Sequence, residues 1–539
     1  MKMLIILYKK CLCVTSICFL MTVTGCGTAW LDEQPLSAIS TATFWKTESD
    51  ARLALNGIYA QSNVGDNSYN NDLRIYTCKT GDGETKQSYV GFTYAGYVKP
   101  SDSPVATLWN RCYASIFRAN YFLANIESVE MNASLKAMFI AEARFLRAYE
   151  YFYLTLMFGG VPLVTDVLTI DEANTQSRTP VTEVMNFAIN EFSEAVKDLP
   201  ATRPDNERGR ILKSAALALK GRMLMIQKKW SEAAGAYQEI MNLNVHLIDP
   251  QYKRIFEEAG ETSKEIILST ICITGLKPNP QNQLNYHPDM YGGYSELYAN
   301  QTLVDEFLMI DGLPIEESPL YDPANPYDNR DPRLYASLFL PYYTVFRGRL
   351  FDNLSMASIN VTGYGVKKYV TENYSGSYNN SGDDIILLRY AEVLLSYLEA
   401  KLENGDAITQ ELLDQTINKI RSREEVMMPS VTETNPAKLR EILRRERRIE
   451  FNFERIIRYM DILRWGMFPE AANVKIYGIK LTDDPDHYTD LVVETEGKYR
   501  GHYICLDKRG SYTKEMALFP IPQFEIDINP NLQQNPGYE

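Results

Sequence analysis

The segment Ala141-Glu142-Ala143-Arg144-Phe145-Leu146-Arg147-Ala148-Tyr149, running on to Phe158-Gly159-Gly160-Val161-Pro162-Leu163-Val164, decides the fold class. Met138, Ala141, Phe145, Ala148 and Phe152 step by three, four, three and four residues. That spacing places them on one stripe of a helix. Gly159, Gly160 and Pro162 then stop it, because glycine leaves the helical region cheaply and proline cannot continue the hydrogen-bond ladder. Pro180 opens a further periodic stretch over residues 181–198, which closes before Pro200. Residues 210–227 and 230–243 read as two helices with a two-residue link. Ala216, Gly221, Ala233 and Ala234 are small enough to let their backbones approach closely.

The same grammar extends outward. Lys229-Trp230-Ser231-Glu232-Ala233-Ala234 with Tyr237 looks like the second helix of a tetratricopeptide unit. Leu388, Ala391, Leu395, Leu398 and Leu402 make a second strong stripe, Asn404-Gly405 turns the chain, and residues 408–423 return. A last long helix is expected from about Pro436 to Trp465, with Ile449, Phe453, Ile456, Met460 and Leu463 on its apolar face. Near the start, Thr47 with Asp50 three residues later predicts a capping box. Between the helices, residues 61–104 and 262–383 are rich in Gly, Pro, Asn, Asp and Tyr and lack helical patterns. Irregular stretches of that length inside a compact protein are usually functional. The tail, residues 467–539, reads as turn-rich with short strand-like pieces.

The N-terminus carries a different signal. Lys2, Lys9 and Lys10 precede a short stretch of apolar, sulfur-bearing and small residues that ends in Val23-Thr24-Gly25-Cys26. This is the layout of a secretory signal peptide, too short to suit a membrane-spanning helix. Small residues before a cysteine resemble a bacterial lipobox, in which the cysteine is acylated, as with palmitate, and becomes the first residue of the mature chain. The expectation is a signal peptide over residues 1–25, a lipidated tether over 26–46, and one domain over 47–539. Within that domain the helical scaffold lies mainly at 47–60, 105–260 and 384–466. Each buried methylene of an acyl chain contributes about 0.8 kcal/mol, so several chains make a stable membrane anchor.

Composition narrows the function. The formal charge is −14, and residues 1–25 hold three lysines and no acid, so their removal leaves −17. An acidic surface argues against nucleic acid as a partner. Cys78, Cys112, Cys272 and Cys505 remain beyond Cys26, in no metal-like spacing. A bridge such as Cys78–Cys112 is compatible with the sequence but not specified by it. Tyrosine is in excess, 36 residues against 21 Phe and 5 Trp. Most are expected to pack helices, and the rest offer flat rings with polar tips at a wetted surface.

Set in order, these motifs resemble the SusD/RagB family of outer-membrane glycan-binding lipoproteins. The residues that carry the resemblance begin with Leu31-Asp32 and Pro35, Phe44-Trp45 and Asn56-Gly57 with Tyr59, behind Cys26. They continue through the 141–164 segment, Asp311-Gly312, Asp331-Pro332-Arg333-Leu334 and Leu388-Arg389-Tyr390-Ala391-Glu392-Val393. Arg444-Arg445-Glu446-Arg447-Arg448-Ile449-Glu450-Phe451, Asp461 with Leu463-Arg464-Trp465-Gly466, and the Phe519-Pro520-Ile521-Pro522 tail complete the set. The resemblance implies a mostly α fold, with tetratricopeptide-like helix pairs as a scaffold and a loop-rich part packed on it. It also implies capture of an oligosaccharide or polysaccharide at the cell surface of the outer membrane, and delivery to a SusC-like TonB-dependent transporter. RagB-type members suggest peptides or glycoproteins as the alternative ligand.

Candidate chemistry follows from residue types. The eight arginines of 440–464 alternate with Glu441, Glu446, Glu450, Glu454 and Asp461. This reads as a salt-bridged scaffold helix with pairs such as Glu441–Arg445 and Glu454–Arg458, and not as a phosphate-binding patch. There is no HExxH, GxSxG or phosphate-cradling motif, and no cofactor is implied. Asp311, Asp331, Asp383 and Asp384 are formal candidates for a glycosidase pair. In a chain this acidic, carboxylates alone do not make an enzyme, since catalysis needs two facing each other roughly 5–10 Å apart. The remaining signal is aromatic. Lys86, Tyr89, Tyr94 and Tyr97 in one loop, and Tyr286, Tyr291 and Tyr294 around Gly292-Gly293 in another, combine flat rings with polar neighbours. A saccharide needs that mixture, an aromatic for its C–H face and polar groups for its hydroxyl rim. The resemblance implies that the glycan platform comes from loops in these two regions. The family's starch binder uses Trp where this chain has Tyr, so starch is not the implied sugar.

Overall fold

The computed structural model describes residues 44–67, 76–85, 98–352, 362–481 and 491–538. Cys26, and with it the expected signal peptide and lipid attachment, lies outside them. The helical scaffold begins with α1 (Glu48–Gln61), α2 (Ser103–Asn125), α3 (Ala133–Phe158), α4 (Val181–Asp198), α5 (Lys213–Ile226) and α6 (Trp230–Asn242). It continues with α7 (Tyr390–Glu403), α8 (Gln410–Gln415), α9 (Ile417–Arg421), α10 (Pro436–Glu450) and α11 (Ile457–Arg464). Each of α2 to α7 packs on its predecessor in this series, and α10 packs on α7. This is the stacking of a helical-repeat scaffold, in which each helix buries its stripe against the next.

The local rules hold where the sequence was most explicit. Thr47 caps α1 in a capping box: its backbone N–H donates to Asp50 at 2.8 Å, and its hydroxyl accepts from the Asp50 N–H at 3.3 Å. Gly159 ends α3 at φ 74°. Gly221 lies under the Tyr237 ring, which a Cβ there would meet at 2.6 Å, so the close α5–α6 contact needs the missing side chain. Trp109 sits in α2 and is buried.

Three helix expectations are corrected. Ile385–Arg389 is a strand, and α7 starts only at Tyr390. The return helix over 408–423 is broken at Thr416 into α8 and α9. The long helix from Pro436 to Trp465 is two helices, with Phe453 and Arg455 at positive φ in the link. The charged pairs expected along it are replaced by long-range ones: Arg445 reaches Glu306 at 3.2 Å, Arg458 reaches Asp82 at 3.0 Å, and Glu454 pairs with Lys368 and Arg389. The reading as a salt-bridged scaffold holds, but much of the salt bridging is buried. The four described cysteines are free and buried, so Cys78 and Cys112 form no bridge.

The loop-rich part has its own apolar core, built from Leu297, Leu338, Phe339, Phe346, Phe351, Tyr364 and Val366 among others. Ten short strands occur among the described residues: β1 (Gly83–Thr85), β2 (Ile266–Thr270), β3 (Leu297–Ala299), β4 (Leu338–Phe339), β5 (Val345–Phe346), β6 (Arg349–Leu350), β7 (Gly365–Val366), β8 (Ile385–Arg389), β9 (Lys475–Lys480) and β10 (His502–Asp507). One four-stranded sheet runs β1-β3-β7-β4, and three two-stranded ribbons pair β2 with β8, β5 with β6, and β9 with β10.

At the seam between the two cores lies a buried ionic cluster. Arg333, Lys368, Arg389, Arg421 and Arg423 face Asp331, Glu265, Glu446, Glu450 and Glu454. Arg389 spends its whole guanidinium there, on Glu265 at 2.7 Å, Glu450 at 2.7 Å and Glu454 at 2.8 Å. It also stacks on Phe451 of the helical core and Phe256 of the other. The end of α10 terminates in this cluster. Its Glu450 carbonyl accepts from Arg389, Lys368 and Tyr252, and Lys368 also donates to the Asn452 carbonyl. A helix end leaves carbonyls unsatisfied, and here cations and a hydroxyl from distant segments complete them.

Candidate functional site

The strand that precedes the first aromatic segment pairs with the strand that follows the second. β1 pairs antiparallel with β3, Gly83 opposite Ala299 and Thr85 opposite Leu297. Gly83 permits this approach, since a Cβ would lie 2.3 Å from the Tyr298 carbonyl oxygen. The chain therefore leaves β1 for residues 86–97 directly beside the strand that follows Tyr294. Lys86, Tyr89, Tyr94 and Tyr97 themselves lie outside the described residues.

The second segment is described throughout, and its tyrosines have different environments. Tyr286 ends a π-helical turn, Asn282–Tyr286, and is only 3% exposed, its ring 6.0 Å from that of Tyr369. It supports the surface from below and does not face a ligand in this conformation, contrary to the expectation for it. Tyr291 is half-buried, and its hydroxyl donates to the Phe346 carbonyl at 2.9 Å. Tyr294 is 50% exposed, so half its side chain is free to meet a ligand. Tyr298 is buried in β3.

A tight turn displays Tyr294. Gly292 stands at φ 94°, a conformation that costs glycine little. Gly293 abuts the His287 carbonyl, whose oxygen would lie 2.1 Å from any Cβ. The Ser295 N–H closes the turn onto that same oxygen at 3.2 Å, and the Tyr294 N–H donates to Leu284 at 2.8 Å. His287 is buried beneath it, boxed by the rings of Tyr291, Phe346 and Tyr378. Burial pushes its imidazole down to about 4, so it is neutral at pH 7 and acts as part of the ring packing.

The structure adds residues that the sequence did not single out. Tyr378 lies against Gly292 and stacks on Tyr374 at 5.9 Å and 29°. The β5–β6 hairpin lays Arg347 5.1 Å and Arg349 5.8 Å from the Tyr291 ring centre. A readable signal existed for the hairpin. Arg347-Gly348 between Val345-Phe346 and Arg349-Leu350 has the X-Gly form of a two-residue turn. No short-range pattern links Tyr374 or Tyr378 to Gly292.

The carboxylate candidates are committed elsewhere. Asp331 caps the short helix Pro332–Ser337 and pairs with Arg333. Asp311 accepts from Ser318 at 2.6 Å, and Asp383 from Gln283 at 2.8 Å. Asp384 holds the Cys272 N–H at 2.9 Å and pairs with Arg208, and burial pushes its carboxyl up to about 6. Among the described residues no group of three or more His, Cys, Asp or Glu is placed to hold a metal ion. No described helix is long and apolar enough to cross a membrane. What the surface offers is rings and guanidinium groups, which suit reversible binding of a hydroxyl-rich ligand.

Known proteins with this architecture share a theme. The family model described as the SusD family matches residues 264–538, and one described as starch-binding, associating with outer membrane, matches residues 29–225. A crystal structure of a SusD-like carbohydrate binding protein from Bacteroides fragilis aligns with a TM-score of 0.84 at 33% identity, covering 91% of this chain and 100% of that one. A SusD-like protein of Formosa agariphila is 24% identical over 502 residues, 84% of this chain and 92% of its own. The starch-binding protein SusD of Bacteroides thetaiotaomicron is 22% identical over 486 residues, 82% and 80% of the two chains.

Proposed function

This chain belongs to the SusD family, and on that premise we propose that it binds an oligosaccharide or polysaccharide on the surface around Tyr294 and passes it to a SusC-like TonB-dependent transporter. The protein is a binder without catalytic chemistry of its own. Residues 1–25 are removed, acyl chains on Cys26 hold it to the outer face of the outer membrane, residues 26–46 form the tether, and residues 47–539 form the one binding domain. The observation that supports the reading is the β1–β3 pairing, in which Thr85, the residue before Lys86, lies opposite Leu297, three residues after Tyr294. The relative of known structure described as carbohydrate binding supports the ligand class.

Calorimetric titration against plant and host polysaccharides is the direct test. At least one is expected to bind, and Tyr294→Ala should weaken it by about tenfold, the loss of one ring from a sugar face. If every glycan fails while a peptide binds, the RagB-type reading replaces this one. Release of reducing ends from any of them would overturn the non-catalytic assignment. The Cys26→Ala protein is expected to fold but to lose retention in the outer-membrane fraction. Full retention of that variant would make docking to the transporter, and not the lipid, the main tether.

A further inference from the structure

We propose that the ligand is an anionic glycan, its carboxylate or sulfate groups taken by Arg347 and Arg349 at the tip of the β5–β6 hairpin. This rests on the glycan reading above and specifies its chemical class.

Three features of the hairpin carry the inference. First, both arginines are exposed and their guanidinium groups lie 5.1 and 5.8 Å from the same Tyr291 ring centre, so two like charges gather at one aromatic. Second, neither forms an ion pair among the described residues, in a chain where exposed and buried arginines elsewhere are widely paired. The Glu372 carboxylate accepts the Arg347 backbone N–H at 3.3 Å and forms no ion pair with either guanidinium. Third, Arg347 occupies φ 49°, followed by Gly348 at φ 74°. These are left-handed positions of a two-residue hairpin turn, where Asn or Gly at the first would be less strained.

Each feature costs the free protein something. Like charges gathered at one ring repel, and a non-glycine residue in the left-handed region is strained. An anion bound between them would relieve the repulsion. Guanidinium forks match planar carboxylates and sulfates with paired hydrogen bonds. The setting sharpens the point: the protein as a whole carries −14, so its long-range field repels anions. A local cationic tip beside the exposed Tyr294 ring is then what lets an anionic chain settle with a sugar face toward Tyr294.

The test uses the full mature chain and three oligosaccharides of equal length: an oligogalacturonate, its carboxyl-reduced neutral form, and a sulfated galactan fragment. At low salt, one of the two charged probes should bind at least about tenfold tighter than the neutral one, and the advantage should shrink as salt screens it. Which of the two binds distinguishes carboxylate from sulfate. Arg347→Asn with Arg349→Gln keeps the turn, because Asn tolerates the left-handed position, and should erase that preference while leaving the thermal midpoint unchanged. Binding of the neutral probe as tightly as the charged ones overturns the inference and leaves the glycan reading standing. A charge preference that survives the double variant overturns the assignment to this hairpin. Failure of all three probes, with a neutral polysaccharide of the wider panel binding, overturns the inference and leaves the glycan reading standing; only failure of the whole panel overturns both.

Discussion

Replacing Arg389 with alanine is expected to destabilise the protein by about 3–5 kcal/mol, the cost of breaking a buried ionic cluster by removing one member. Arg389, Glu265 and Glu450 side chains are 0% exposed, and Glu454 is nearly so. Removing the cation takes one partner from each of three buried carboxylates, leaving Glu265 to Arg423, Glu450 to Arg333 and Arg423, and Glu454 to Lys368, and it removes one of three donors to the Glu450 carbonyl at the end of α10. Urea unfolding measures the loss. The half-exposed Arg440–Glu403 pair supplies the control: Arg440→Ala should cost at most about 1 kcal/mol, because solvent already screens it. Equal losses in the two variants would show that the cluster adds nothing beyond a surface pair.

The cluster also sets a pH dependence. Burial alone would raise the Glu450 carboxyl, but Arg389, Arg423 and Arg333 together hold it well below the usual carboxylate range. Glu454 is lowered in the same way by Arg389 and Lys368 against its burial. A carboxyl with a depressed folded pKa contributes stability that is complete above its unfolded value, about 4.3, and is lost as pH falls below it. The urea midpoint should therefore drop between pH 6 and pH 3.5, and should drop less in Arg389→Ala, where the depression is partly removed.

Gly293→Ala is expected to abolish ligand binding while leaving the helical scaffold folded. The added Cβ would sit 2.1 Å from the His287 carbonyl oxygen and 2.6 Å from its carbon, and backbone atoms cannot swing aside as a side-chain tip can. The turn must open, and Tyr291 and Tyr294 move with it. The stability cost is about 1–3 kcal/mol, in the range of an overpacked site. The helical circular dichroism signal should be unchanged, while calorimetry should show affinity for the identified glycan reduced by far more than the tenfold expected for Tyr294→Ala. Gly235→Ala serves as the control, since a Cβ there meets nothing within 4 Å. Wild-type affinity in Gly293→Ala would remove this turn from the site.

Legibility of the fold tracked the range of the interactions involved. The helix over 181–198 was readable to the residue because its stripe and its two bounding prolines are all local. The capping box at Thr47 was readable for the same reason. The site was half legible. Composition and spacing pointed to the turn around Gly292 and Gly293, yet the pattern could not say that Tyr286 faces inward while Tyr294 faces out. Arg347, Tyr374 and Tyr378 come from segments some 50 to 90 residues further along the chain, and no period in the sequence ties them to Tyr291.

By itself the sequence determined the helical scaffold, the acidic balance, the two aromatic loop regions and the family resemblance, because each rests on neighbours within a turn or on motif order along the chain. Tertiary structure alone decided where the last long helix breaks. Residues 436–465 carry helix-forming composition throughout, and no glycine or proline interrupts Glu450 to Ile456. The break exists because Arg389, Lys368 and Tyr252, brought in from distant segments, satisfy the carbonyls that an α-helix end leaves open. The same packing set β1 against β3, a pairing across more than 200 residues that no local propensity encodes.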